Sequence, residues 1–156
     1  MKLLVLGIGN PIRGDDYIGI EIARRIKSKL SKILCEHDIA VKEARTTTLD
    51  LLSTIPNYDK VVIIDAVKTE TGKAGDIYKF NAKDLNEPAH YSVHNSNLSS
   101  TLKLGEKLGL KIPEIVVYGI EVKDTTFREG LSKELKKAIP KTISKIMKEL
   151  WKRGVM

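Results

Sequence analysis

Four side chains of this sequence stand where chemistry could be done: Asp16, Asp65, His94 and Glu121. Asp16 follows the apolar run 2–8 across a short turn. Asp65 closes the run Val61-Val62-Ile63-Ile64. His94 sits in a polar stretch just ahead of a helical pattern, and Glu121 lies just past the apolar run 114–119. Two carboxylates and an imidazole gathered at one edge would make a site for a divalent metal. Imidazole suits Ni, Zn, Cu and Fe, and carboxylate oxygens complete a mixed shell. Spacing alone does not gather them; the fold must.

Each residue also has a plainer reading. Asp15 or Asp16 can cap the helix that follows, a common task for Asp at that position. A charged carboxylate at the end of a buried run is costly unless paired or bound, so Asp65 leans toward function. A lone loop histidine such as His94 is often only hydrogen-bonded. Glu121 reads as solvated, or paired with one of the many lysines.

Other motifs fall away. Gly7-Ile8-Gly9 after an apolar run points toward phosphate, but Ile12 stands where the dinucleotide fingerprint needs its third glycine. Pro11 also removes an N–H from that loop. The glycines are better read as letting the backbone approach something closely. No Gly-Lys-Ser/Thr loop and no Gly-x-Ser-x-Gly elbow occurs. Ser92, Ser96, Ser99 and Ser100 near His94 suit loops and helix starts. Cys35 and His37 fall near the end of the first helix, away from the carboxylates, so Cys35 reads as a small packed or surface residue. His90 and His94 share an i, i+4 spacing, but Pro88 and polar neighbours put His90 in a loop, and it stays second choice.

The elements that must position these groups alternate. Residues 2–8, 39–45, 60–65 and 114–119 read as strands, the apolar ones buried on both faces, and 75–80 reads as an edge strand. Ile18, Ile22, Ile26 and Leu30 mark a first helix, Leu51 and Leu52 a short one ended by Pro56, and 96–108 a third. A closing helix spans 130–151, kinked at Pro140. The expectation is a single α/β domain, 1–156, with three layers and a mostly parallel five-stranded sheet whose edge strand is antiparallel. Ligands of such sheets bind at the carboxyl ends of the strands.

Composition bounds the function. Of 156 residues, 42% are hydrophobic and 30% charged, the balance of a globular protein. The single Cys35 forms no internal disulfide and fits a reducing compartment. No run approaches the ~20 apolar residues of a membrane span, and no secretory leader is evident, so the expected address is cytoplasmic. Lys and Arg exceed Asp and Glu by 27 to 20, but much of the excess spreads through the C-terminal helical pattern as a solvated face. With 5% aromatics to stack bases, nucleic-acid binding is not expected. The absence of Gln beside abundant Lys and Ile hints at a thermophilic source.

Four segments carry a resemblance. Gly7-Ile8-Gly9-Asn10-Pro11-Ile12-Arg13-Gly14-Asp15-Asp16 resembles the N-terminal signature of the hydrogenase maturation endopeptidases. Val61-Val62-Ile63-Ile64-Asp65-Ala66 is similar to their second signature, Val93-His94-Asn95 with Leu98 to their third, and Val117-Tyr118-Gly119-Ile120-Glu121 to their last strand. The segments stand in order from residue 2 to about 140, closest to the group serving formate-hydrogenlyase-type and coenzyme F420-linked enzymes. The resemblance implies an endopeptidase that removes a C-terminal extension from the large-subunit precursor of a nickel–iron hydrogenase after nickel insertion. It implies Asp16, Asp65 and His94 as the catalytic and nickel-binding residues, with the nickel carried by the precursor and no tightly owned metal. A monomer is expected. Two positions depart from the pattern. Tyr17 replaces a small residue, which would tighten the cleft mouth or add a hydroxyl. Val122 replaces a proline, which would loosen the strand's exit.

Two rival readings remain open. A non-catalytic nickel-binding maturation chaperone would use the same three residues and cleave nothing. A small-molecule hydrolase on this frame would need a nucleophile or a permanent metal.

Overall fold

A computed structural model describes residues 1–45, 50–82 and 95–152. Its five strands are β1 (Leu3–Ile8), β2 (Ile39–Ala44), β3 (Lys60–Val67), β4 (Ile77–Asn81) and β5 (Glu114–Glu121). Its helices are α1 (Ile18–Lys29), α2 (Ser31–Glu36), α3 (Asp50–Thr54), α4 (Asn95–Lys107) and α5 (Lys133–Lys152). The sheet order is β2-β1-β3-β5-β4, with β4 antiparallel to β5 and the other pairs parallel. The α/β architecture with one antiparallel edge strand is the one expected.

The apolar runs form central strands because both faces are covered. On one face Val5, Val62, Ile64, Val116 and Ile120 pack with Ile18, Ile22 and Ile26 of α1 and Leu135, Ile139, Ile143 and Ile146 of α5. On the other, Leu4, Leu6, Ile63, Val67 and Val117 pack with Leu51 of α3 and Leu98 and Leu102 of α4. Burying each such side chain stabilises the fold by about 1.5–3 kcal/mol relative to leaving it exposed.

Several boundaries move, for physical reasons. β3 runs two residues past Asp65 and β5 two past Gly119, because β3 and β5 stay paired through Val67↔Glu121. The closing helix begins at Lys133, not 130: Gly130 lies at φ 92° and Ser132 is held elsewhere, as described below. Pro140 lies inside that helix on its exposed face and cannot donate the backbone bond a helix makes to the residue four before it. Cys35 belongs to the separate helix α2 and is exposed.

The amino end of the sheet holds a buried ion cluster. Lys60, the first residue of β3, donates to Glu149 Oε1 at 2.8 Å, and Lys79 on β4 donates to Glu149 Oε2 at 2.7 Å. The Tyr118 hydroxyl reaches the same Oε2 at 3.4 Å. Although burial opposes its charge, the two ammonium groups hold the Glu149 carboxyl down at about 2. Burial and that carboxylate push the Tyr118 hydroxyl up to about 12.

Candidate active site

The chain leaves β1 to the left, forms α1 and β2, and returns to the right of β1 as β3. The order of strands therefore reverses between β1 and β3, and the crevice outside their carboxyl ends is where such sheets bind ligands. Asp16, just after β1, and Asp65, near the end of β3, both lie on that carboxyl side of the sheet.

Asp16 gets there by a close approach of backbone. After Ile8 the chain turns through Asn10 and Pro11 into a 3-10 turn, Gly14–Tyr17. A Cβ on Gly9 would collide with the Asp16 carbonyl oxygen, so only glycine lets this turn fold down on the end of β1. What the glycine admits is the protein's own backbone. The turn also packs against β3, and Asp16 is buried to 1% exposure. It is not a helix cap: α1 starts after Tyr17 with no side-chain capping bond.

Asp65 lies inside β3 at 2% exposure, its Oδ1 accepting from the Ala66 N–H at 2.8 Å. Strand alternation puts it on the face of Ile63 and Val67, the side covered by α3 and α4. The structure thus brings Asp16 and Asp65 to one edge from two different elements. His94 lies outside the described residues, as do His90 and Ser92. Among the described residues no group of three His, Cys, Asp or Glu side chains is placed to hold a metal ion.

Two further acids belong to this edge in roles the sequence does not reveal. Asp15 is fully buried and grips the loop after β5. Its Oδ2 accepts from the Lys123 and Asp124 N–H groups, both at 2.9 Å, and from the Ser132 hydroxyl at 3.0 Å. Its Oδ1 accepts from the Ser132 N–H at 2.7 Å. Neither Asp15 nor Asp16 caps α1. Asp15 has partners more than a hundred positions away, and no local pattern announces them.

Glu121 overturns its plain reading. It is the last residue of β5, only 1% exposed, and no lysine pairs with it among the hydrogen bonds described. Its Oε2 accepts from the Thr69 N–H at 2.9 Å, and its Oε1 takes the Thr69 hydroxyl and, at 3.4 Å, the Tyr78 hydroxyl. Glu121 pairs with Val67 across the sheet, so it shares the face of Asp65. Burial and the charges of Glu121 and Asp76 push the Tyr78 hydroxyl above its ordinary value.

This frame matches known proteins along nearly its whole length. The family model described as hydrogenase maturation protease covers residues 5–149. The chain belongs to the hydrogenase maturation protease family. A relative from Methanocaldococcus jannaschii, provisionally named a hydrogenase maturation protease, is 32% identical over 96% of this chain and 97% of its own. The coenzyme F420 hydrogenase subunit delta of Methanothermobacter thermautotrophicus is 24% identical over 96% of this chain and 94% of its own. The solved [NiFe] hydrogenase maturation protease HybD from Thermococcus kodakarensis superposes with a TM-score of 0.76 at 25% identity, covering 95% of this chain and 98% of that one. As a hydrogenase maturation protease family member, the chain is an enzyme, a peptide-bond hydrolase.

Two positions expected to depart from the family pattern can now be placed. The Tyr17 hydroxyl accepts from Arg24 Nη1 at 2.8 Å, and its ring lies under the Arg24 guanidinium at 5.6 Å. The added hydroxyl is therefore engaged along α1. Val122 is 2% exposed and its N–H donates to the Val67 carbonyl at 3.0 Å. Proline could not make that bond, so the exit of β5 is fastened here where a looser one was expected.

Proposed function

We propose that this protein is the endopeptidase that removes a C-terminal extension from the nickel-loaded large-subunit precursor of a nickel–iron hydrogenase. The observation that supports the reading is that Asp16, after β1, and Asp65, in the neighbouring strand β3, are both buried toward the carboxyl side of the sheet in a chain of the hydrogenase maturation protease family. Nickel is part of the substrate in this reading. Asp16, Asp65 and His94 offer it an incomplete shell of oxygen and nitrogen, and donors of the precursor complete it. Readiness is then a difference in affinity between nickel-loaded and empty precursor.

The chemistry is hydrolysis. Water adds to the scissile carbonyl, polarised by the substrate's nickel, while Asp16 or Asp65 takes the water's proton. The proton passes to the departing amine as the C–N bond breaks. Burial of both carboxylates keeps bulk water from competing for the metal. No helix of the described residues is long and apolar enough to cross a membrane, and Cys35 is a free thiol. In this reading the precursor is met in the cytoplasm.

The test is intact-mass analysis of a hydrogenase large-subunit precursor, with and without nickel, incubated with the protein and with Asp16→Ala and His94→Ala. The expected result is nickel-dependent loss of one C-terminal peptide, abolished by both substitutions. A stable nickel-dependent complex with no mass loss would overturn the protease reading and establish the chaperone.

A further inference from the structure

The loop gripped by Asp15 is unusually well fastened for one that exposes an aromatic ring. The Gly14 N–H donates to the Arg128 carbonyl at 2.9 Å, the Arg128 N–H to the Ile12 carbonyl at 3.0 Å, and the Asp15 N–H to the Asp124 carbonyl at 2.7 Å. Arg13 Nε donates to the Thr125 carbonyl at 3.3 Å. Within the loop, the Thr126 N–H and hydroxyl both donate to Asp124 Oδ1. Together with the four bonds to the Asp15 carboxylate, these join loop 123–132 to loop 10–15 as one piece.

That piece presents a rim to water. Phe127 is 77% exposed and Ile12 55% exposed. The Arg13 guanidinium lies 5.3 Å from the centre of the Phe127 ring. Arg128 is bridged backbone to backbone with Arg13 and keeps a partly exposed guanidinium, 3.6 Å from Asp124 Oδ2. Exposed Phe and Arg on a rigid support are the residues that anchor interfaces, because little ordering remains to be done when a partner arrives. The Asp16 N–H donates to the Arg13 carbonyl at 3.1 Å, so the rim begins within one turn of the catalytic edge.

We propose that Ile12, Arg13, Phe127 and Arg128 form the docking surface for the large-subunit precursor, which seats an apolar recess on Phe127 and acidic groups on the two arginines; this rests on the processing function proposed above. Continuity with Asp16 selects the substrate as the occupant. A second copy of this chain fits poorly, because a two-fold contact through the rim would bring arginines against arginines.

The test is steady-state processing of nickel-loaded precursor by the full chain, with Phe127→Ala, Phe127→Trp and the pair Arg13→Ala/Arg128→Ala. Leu108→Ala serves as control, exposed at 64% on a different element. Phe127→Ala raises KM about tenfold or more, with the loss recovered at saturating precursor; Phe127→Trp restores affinity. The arginine pair raises KM and flattens its salt dependence. The Leu108 variant behaves as wild type. Unchanged KM in the rim variants, or a change in oligomeric state instead, overturns the proposal. If the wild type cleaves nothing, the processing reading itself fails, and Kd for the same precursor then decides the rim. Weaker binding by Phe127→Ala upholds it, and equal binding overturns it.

Discussion

The two ends of the sheet bury charge in opposite ways. At the amino end Lys60 and Glu149 neutralise each other, with Lys79 and Tyr118 completing the set. At the carboxyl end four acids gather, Asp15, Asp16, Asp65 and Glu121, all at or below 2% exposure. Asp15 and Glu121 are held by backbone N–H groups and hydroxyls. A closed ion cluster ties α5 to the sheet and asks for no ligand. The buried acids at the carboxyl end stand where sheets of this kind bind ligands. The contrast teaches that burial of charge by itself does not mark a site; its place at the carboxyl ends of the strands does.

The strongest challenge to that contrast is to remove one acid from the carboxyl end. Asp65→Asn and Asp16→Asn each lower nickel-dependent processing about a hundredfold to ten-thousandfold, with little change in Tm, read by intact mass and thermal melting. A matching loss of Tm would place these acids with the structural ones. At the other end the effects reverse. Lys60→Met leaves a buried carboxylate short of a partner and costs about 3 kcal/mol in denaturant unfolding, the low end of the usual range because half-exposed Lys79 still reaches it. The double variant Lys60→Met/Glu149→Leu returns toward wild-type stability, and neither change alters cleavage by the folded protein.

Asp15→Ala sharpens the division among the acids. It removes four hydrogen bonds to a carboxylate and lowers stability by roughly 1.5–3 kcal/mol, seen as a reduced Tm. Titration separates the ends further. The Glu149 carboxyl is held at about 2 against its ordinary 4.5, so the stability it contributes is complete above 4.5 and fades as pH falls toward 2. Glu149→Gln flattens that limb in an acid unfolding series; an unchanged limb would show that the cluster does not govern it. The smallest effect belongs to the exposed pair Arg24–Glu43, 2.7 Å apart at 53% and 41% side-chain exposure. Arg24→Ala changes stability by less than about 1 kcal/mol.

Much of this was written locally in the chain. Continuous β-branched runs such as Val61-Val62-Ile63-Ile64 read as strands covered on both faces, and their alternation with helical patterns points to a parallel sheet. Asp65 could be singled out because a carboxylate ending such a run is costly without a reason. Asp16 could be singled out by its place after the first strand, but only the signature favoured a ligand over a cap, since the two look alike at a helix start. His94, singled out first by its place ahead of a helical pattern and then by the third signature, lies outside the described residues.

Tertiary structure alone decided the rest. Which of the adjacent acids Asp15 and Asp16 holds a distant loop depends on the direction each side chain takes from a 3-10 turn pressed on β1 through Gly9. Glu121 read as a surface acid until two more residues of pairing with β3 drew it inside. The Lys60–Glu149 pair spans 89 positions. Periodicity and turn chemistry act over a few residues, so they determine elements and their order; hydrogen bonds between side chains far apart in the chain exist only once those elements have packed.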